Sequence, residues 1–184
     1  MTVEAARAVI LDRDGTIVVD RDYLDDPEQL EFLPGALEGM RLLRERGHPL
    51  VVVTNQSGVG RGRFSLARLE QIHARLLDTA RQAGATIDAI YYCPHRPEEN
   101  CECRKPKPML VRRAAARLGF EPSEAVVIGD KSSDIELGRN LKSMTMLVSE
   151  TGRTRDGSPA TADYVVRDLL EAARILGAAA GGGR

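Results

Sequence analysis

Two aspartates one residue apart, Asp12 and Asp14, close the apolar run Val9-Ile10-Leu11 and are followed at once by Gly15 and Thr16. In an extended segment residues i and i+2 face the same side, so both carboxylates can serve one site. Two more apolar runs end in polar groups, residues 50–53 in Thr54-Asn55 and residues 125–129 in Asp130-Lys131, with Asp134 close behind. Carboxylates gathered at one rim repel strongly unless a cation lies among them. Hard oxygen ligands with room for water and phosphate suit Mg²⁺. A carboxylate held on such an ion stays ionised and can attack phosphorus, while its neighbour gives a proton to the leaving oxygen and later takes one from water. Thr54 offers a hydroxyl for phosphoryl oxygens, and Lys105 and Lys131 offer fixed positive charge. Each piece alone has a bland reading: a lone Asp-x-Asp is usually a turn, and a lone lysine is usually a solvated side chain. Polar endings on three strands together favour one shared site.

A second constellation lies in residues 93–103. Cys93-Pro94-His95 and Cys101-Glu102-Cys103 place three thiols and an imidazole in one short loop. Four such ligands are what tetrahedral Zn²⁺ takes in a closed structural site, and two ligand pairs at one loop root outweigh a stray Cys-x-Cys, a redox disulfide or a solvated histidine. Bound zinc stiffens a loop that has no core of its own. The chain then runs directly into Arg104-Lys105-Pro106.

The elements that must hold these groups alternate. Short apolar runs bounded by turn signals predict buried strands at 9–11, 50–53, 87–92, 125–129 and 145–148, with a further one at 164–166. Helical spacing predicts helices over 34–46, a long one after the cap Ser65, another over 108–118, a short one from Ser133 and a last one over 168–176. Residues 16–33 read as a short hairpin or flap with an acidic loop. Alternation of this kind implies a parallel sheet covered on both faces, a Rossmann-like three-layer α/β/α sandwich. Ligands then bind at the carboxyl ends of the strands. Neither the segment after the first strand nor that after Thr54 has room for a large cap domain, so the site is expected to be open, walled by the flap and the cysteine loop. Residues 1–176 read as a single domain and the Ala/Gly-rich residues 177–184 as a disordered tail.

Bulk properties exclude several classes. The chain has 184 residues, 42% hydrophobic, with 26 basic and 27 acidic side chains and a formal net charge of -1. That suits one domain with a sizeable core and offers no general polyanion surface, so nucleic acid is not an expected partner. No stretch is long and apolar enough to span a membrane. The opening residues carry Glu4 and Arg7 without a long apolar run, so no secretion signal is expected and the simplest location is the cytoplasm. No helix shows an extra apolar stripe, which favours a monomer.

Asp12-Arg-Asp-Gly-Thr16, Thr54-Asn55, Lys105 and Gly129-Asp130-Lys131-Ser-Ser-Asp134 together resemble, in order and placement, the four motifs of the haloacid dehalogenase (HAD) superfamily of phosphatases. The resemblance runs from about Val9 to the last helix. It implies that Asp12 is the nucleophile that becomes an aspartyl phosphate and Asp14 the general acid/base. It implies that Thr54 and Lys105 hold the phosphoryl group. Asp130 would bind Mg²⁺ with Asp12 and the main-chain carbonyl of Asp14, supported by Asp134. Tyr91-Tyr92-Cys93-Pro94-His95, Cys101-x-Cys103-Arg104-Lys105-Pro106 and Thr54-Asn55-Gln56-Ser57-Gly58 with Arg61-Gly62 narrow it to one branch. That branch comprises the D-glycero-D-manno-heptose-1,7-bisphosphate 7-phosphatases and the histidinol-phosphate phosphatases, and the Asn55–Gly58 stretch leans toward the former. Pro108-Met109 departs from the usual pattern, which has a glycine between them. The resemblance implies hydrolysis of the C7 phosphate of heptose 1,7-bisphosphate to the 1-phosphate, in the making of nucleotide-activated heptose for lipopolysaccharide or another surface glycan. The alternative is the histidinol-phosphate reaction of histidine synthesis. It further implies that Asp20, Arg21, Asp22 and Tyr23 in the flap, with Asn55, Gln56, Ser57, Arg104 and Lys131, meet the sugar or its distal phosphate. Arginine suits that phosphate because its planar fork binds oxygens in pairs.

Overall fold

A computed structural model describes residues 7–159 and 161–179. Six strands, β1 (Val9–Leu11), β2 (Leu50–Asn55), β3 (Ala89–Cys93), β4 (Val126–Gly129), β5 (Met144–Val148) and β6 (Tyr164–Val166), form one sheet in the order β3-β2-β1-β4-β5-β6. Every pairing is parallel. The helices are α1 (Ala36–Glu45), α2 (Ser57–Gly60), α3 (Leu66–Gln82), α4 (Met109–Leu118), α5 (Ser132–Leu141) and α6 (Leu169–Ala179). Strand periodicity sorts the core into two halves. Val9 and Leu11 face one side with Leu50, Val52, Val126 and Ile128, against Met40 and Leu43 of α1, Leu76 and Ala80 of α3, and Leu169 and Ala173 of α6. Ile10 faces the other with Val51, Val53 and Val127, against Leu110, Val111 and Ala114 of α4 and Leu137 and Leu141 of α5. Burial on both faces explains why these strands read as continuous apolar runs.

The sheet grows from β1 through β2 to β3, and the chain then returns to lay β4 on the other side of β1. Strand order reverses between β1 and β4, and a crevice opens there at their carboxyl ends. Leu11 pairs with both Val52 and Ile128, so Asp12, Thr54 and Asp130 emerge at nearly the same height, and Asp12 N–H donates to the Ile128 carbonyl (3.0 Å).

Most sequence-predicted elements are present, and the differences are local. α2 follows Gln56 in a stretch with no apolar periodicity to announce it. α6 continues through Gly177 to Ala179, where the composition suggested that the tail begins; residues 180–184 lie outside those described. Residues 16–33 do fold back on themselves, since Val18 bridges Phe32, Leu33 N–H donates to the Ile17 carbonyl and Val19 N–H to that of Glu31. This flap leaves β1 through Gly15, whose φ of +88° suits glycine. A Cβ at Gly15 would also lie 2.0 Å from Asp130 Oδ2, so only glycine lets the turn pass over that carboxylate.

Candidate active site

Three carboxylates converge in the crevice. One oxygen each from Asp12, Asp130 and Asp134 lies within 4.8 Å of the others, and all three residues are buried. Asp134 is placed by α5, whose N-terminus it caps by accepting from Lys131 N–H (3.1 Å). Lys105 enters from the loop after the cysteines. Its ammonium donates to Asp12 Oδ1 (2.7 Å), Asp134 Oδ1 (2.7 Å) and the Val53 carbonyl (2.8 Å), which uses all three of its protons. Burial works against that charge, yet Asp12 and Asp134 outweigh it and hold the lysine above its ordinary range. Asn55 fixes the lysine's backbone, accepting from Lys105 N–H (3.0 Å) and donating to the Lys105 carbonyl (3.3 Å).

Asp130 is different. Both of its carboxylate oxygens are buried and neither has a hydrogen-bond partner. Burial, and then Asp12 beside it, push its carboxyl up to about 8. An orphaned buried carboxylate among others is what a hard divalent cation relieves, and an all-oxygen donor set suits Mg²⁺. The residues therefore fit a cation at Asp12 and Asp130, with Asp134 engaged by Lys105.

Asp14 does not join this cluster through its side chain. Arg13, only 1% exposed, forks onto it, with Nη2 donating to both oxygens (2.9 and 3.0 Å) and Nε likewise (3.1 and 3.2 Å). Gln56 Nε2 donates to Asp14 Oδ2 and to Thr54 Oγ1, both at 2.8 Å, and its Oε1 accepts from Arg13 Nη2 (2.9 Å). Asp14 is thereby tied to Thr54 through a single amide. Arg13 Nη1 lies 3.2 Å from His73 Nε2 on α3. Arginine can only donate, so that nitrogen accepts and the imidazole is neutral. Burial, and then Arg13, hold the His73 pKa down at about 3.

The outer rim is also paired. Lys131 Nζ donates to Asp20 Oδ2 (3.0 Å), and Arg155 Nε lies 3.6 Å from the same oxygen. Lys131 holds the Asp20 carboxyl below its usual range against the opposing effect of burial. Arg155 comes from the loop between β5 and β6. Its N–H donates to the Asp130 carbonyl (2.8 Å), and Asp156 accepts from Ser132 N–H (3.2 Å) and hydroxyl (2.7 Å). Other flap residues bond within the flap: Arg21 donates to the Gln29 carbonyl and to Glu31, and Asp22 N–H donates to Asp20. The Tyr23 ring lies 5.5 Å beneath the Arg63 guanidinium. Ser57 begins α2.

The sulfur cluster assembles as a separate group. Cys103 Sγ lies 3.0 Å from Cys93 Sγ and 3.5 Å from Cys101 Sγ, and His95 Nδ1 lies 3.1 Å from Cys103 Sγ. The three thiols are free, and all four donor atoms lie within 4.8 Å of one another. Such a Cys₃His set fits a tetrahedral zinc ion. Burial pushes the Cys93 thiol up, whereas hydrogen bonds from Cys93 and Cys103 bring Cys101 down to about 7 against the effect of its burial. Arg104 Nη1 donates to the His95 carbonyl (3.4 Å), linking the cluster to the residue beside Lys105.

Sequence reading passed over Arg13, His73 and Arg155. His73 left a signal, because it stands among Leu69, Ile72 and Leu76 on the buried face of α3. Arg155 left none.

The HAD-hydrolase-like family profile matches residues 102–172. The D-glycero-beta-D-manno-heptose-1,7-bisphosphate 7-phosphatase of Pasteurella multocida is 34% identical over 178 residues, covering 92% of this chain and 96% of its own. That of Helicobacter pylori strain 26695 is 41% identical over 137 residues, 74% and 79% of the two chains. The crystal structure of D,D-heptose 1,7-bisphosphate phosphatase from B. bronchiseptica, complexed with magnesium and phosphate, superposes with a TM-score of 0.86 at 31% identity, covering 94% of this chain and 99% of that one.

Neutral burial of His73 has a pH consequence. An unfolded histidine titrates near 6.5 and the folded one at about 3, so between those values the unfolded chain binds the extra proton. Stability contributed by His73 is complete above about pH 6.5 and falls as pH drops through that window, by up to about 1.4 kcal/mol per pH unit. Urea unfolding between pH 7 and pH 4.5 should show a shallower loss in His73→Gln than in the parent. Identical slopes would contradict a neutral buried imidazole.

Proposed function

The chain belongs to the D-glycero-beta-D-manno-heptose-1,7-bisphosphate 7-phosphatase family of HAD-like hydrolases, and from that premise we propose how its residues remove the C7 phosphate to leave heptose 1-phosphate. The observation that carries the reading is the orphaned Asp130 carboxylate beside Asp12 and the lysine-held Asp134. A structural neighbour of the same architecture is complexed with magnesium and phosphate.

Asp12, Asp130 and the main-chain carbonyl of Asp14 are the groups that would hold Mg²⁺, with Asp134 supporting them. Bound there, the ion supplies charge neutralisation for the phosphoryl oxygens and the carboxylates. Asp12 Oδ attacks the C7 phosphorus, the bond from phosphorus to the sugar oxygen breaks, and Asp14 delivers a proton to that oxygen. Water then attacks the phosphorus of the aspartyl phosphate and gives its proton to Asp14, which releases inorganic phosphate and regenerates Asp12. Thr54 holds a phosphoryl oxygen, and Lys105, its backbone fixed by Asn55, lends positive charge to the phosphoryl group and turns a proton to it from Asp12 or Asp134. Lys131, Asp20 and Arg104 stand at the rim where the sugar and its C1 phosphate enter; Arg21, Asp22, Tyr23, Asn55, Gln56 and Ser57 belong to the walls of that entrance. No large lid closes over the described residues, so positioning rather than enclosure carries the rate. The described residues, through the end of α6 at Ala179, act as one catalytic domain, monomeric and cytoplasmic, with no nucleic-acid or membrane partner. Among the described residues no helix is long and apolar enough to cross a membrane.

Cys93, His95, Cys101 and Cys103 would hold Zn²⁺ as a closed structural site. Its role is to hold the loop that delivers Arg104 and Lys105.

Phosphate release with Mg²⁺ from both anomers of heptose 1,7-bisphosphate and from histidinol phosphate, compared as kcat/KM, tests the substrate. The beta anomer is expected to lead, with Asp12→Asn reducing turnover by about 10³-fold or more. Preference for histidinol phosphate would overturn the substrate while keeping the chemistry. For zinc, metal analysis of the purified protein should find a stoichiometric ion that Cys101→Ser loses together with several degrees of thermal stability. A zinc-free parent of full stability would refute that site.

A further inference from the structure

The nucleophile and its acid/base partner sit two residues apart where the chain bends after β1, and their carboxylates part company. Asp12 turns into the charged cluster, and Asp14 turns to Arg13 and Gln56. Two features make that separation a built one. Arg13 is among the most deeply buried large side chains of the molecule, although it stands between two site residues. Its guanidinium, moreover, is held from three directions: Asp14, Gln56 from the end of β2, and His73 from the middle of α3. A buried guanidinium needs its donors paired, and the His73 imidazole accepts from the one nitrogen that neither Asp14 nor Gln56 reaches. His73 is itself confined by the Tyr92 ring, with centroids 5.4 Å apart.

We propose that Arg13 and His73 are positioning residues for the acid/base step: His73 orients the Arg13 fork, and the fork fixes the Asp14 carboxylate beside Thr54. This rests on the reading of Asp14 as the group that protonates the leaving oxygen. A carboxylate freed from the fork is free to turn to solvent, to which the Asp14 side chain is already 15% exposed, or toward Asp12, where three acids already crowd a single ammonium. The fork keeps Asp14 out of that cluster, and the shared Gln56 amide sets its distance from the phosphoryl-holding hydroxyl. Arg13 bonds the Asp14 carboxylate and His73 bonds Arg13, so the effect of both passes through Asp14.

The role predicts a loss that depends on the leaving group. A sugar alkoxide needs a proton as it departs, whereas p-nitrophenolate leaves without one. The experiment measures kcat/KM, which reports the steps up to leaving-group departure, for heptose 1,7-bisphosphate and for p-nitrophenyl phosphate. It uses the Mg²⁺-loaded parent, His73→Leu, His73→Gln and Asp14→Asn. His73→Leu should lose about tenfold or more on the sugar ester and about twofold or less on the aryl ester. His73→Gln, which restores an acceptor, should recover most of the loss. Equal losses on both esters, no loss, or failure of glutamine to rescue would overturn the proposal. If His73→Leu does not fold, Arg13→Lys replaces it, since it keeps the buried charge but loses the fork, and the same selectivity is required. Asp14→Asn separates the two layers. A selective loss there without one in the His73 variants refutes the positioning role alone. Equal losses in Asp14→Asn refute the acid/base assignment, and the positioning role falls with it.

Discussion

The site is governed by an unbalanced charge on buried groups. Asp12, Asp130 and Asp134 carry three formal negative charges and only the Lys105 ammonium is hydrogen-bonded among them, with Arg155 Nε 4.0 Å from Asp130 Oδ2, so negative charge remains in excess. The other acids nearby have cations of their own: Asp14 has Arg13, and Asp20 has Lys131. Two unit charges about 4 Å apart interact by about 4 kcal/mol at an effective dielectric constant near 20, so the excess is far from negligible on the scale of a protein's stability. A divalent cation closes the balance. Without one, a proton must be retained, and the elevated Asp130 carboxyl is where burial and Asp12 would place it.

Much of the surrounding structure serves to make that unfavourable arrangement reproducible. The reversal of strand order between β1 and β4 brings Asp12 and Asp130 to one crevice. Gly15 lets the chain leave β1 without striking Asp130. The N-terminus of α5 supports Asp134, and the chain that leaves the sulfur cluster returns Lys105 to the crevice, where Asn55 grips its backbone. Stability arises in the two apolar cores above and below the sheet, which leaves the crevice free to carry groups chosen for chemistry.

The parts legible in the sequence were those with a local signature. Buried strands show as apolar runs, so Val9–Leu11 and Leu50–Asn55 could be seen along with the polar residues that end them. The cysteine cluster was visible because its ligands lie within eleven positions. Pairings across the molecule were not. That Asp14 faces Arg13 rather than Asp12 depends on His73 from α3 and Gln56 from the end of β2, and i, i+2 geometry alone placed both carboxylates together. Arg155 reaches Asp20 from a loop tied down by its own N–H on the Asp130 carbonyl and by Asp156 on Ser132, and nothing in residues 149–159 announces that. The α6 extension to Ala179 follows the high helix propensity of alanine, with Gly177 set against Arg46, although an Ala/Gly composition by itself suggests a disordered tail.

The charge balance is tested most directly by equilibrium binding of Mg²⁺, followed by calorimetry in the presence of inorganic phosphate, for the parent and Asp130→Asn. Saturable binding in the parent and its loss in the variant are predicted, because removing one of the three charges and the orphaned ligand removes both reasons for the ion. Binding of equal strength in Asp130→Asn, or none in the parent, would contradict the view that an excess of buried carboxylate organises this site.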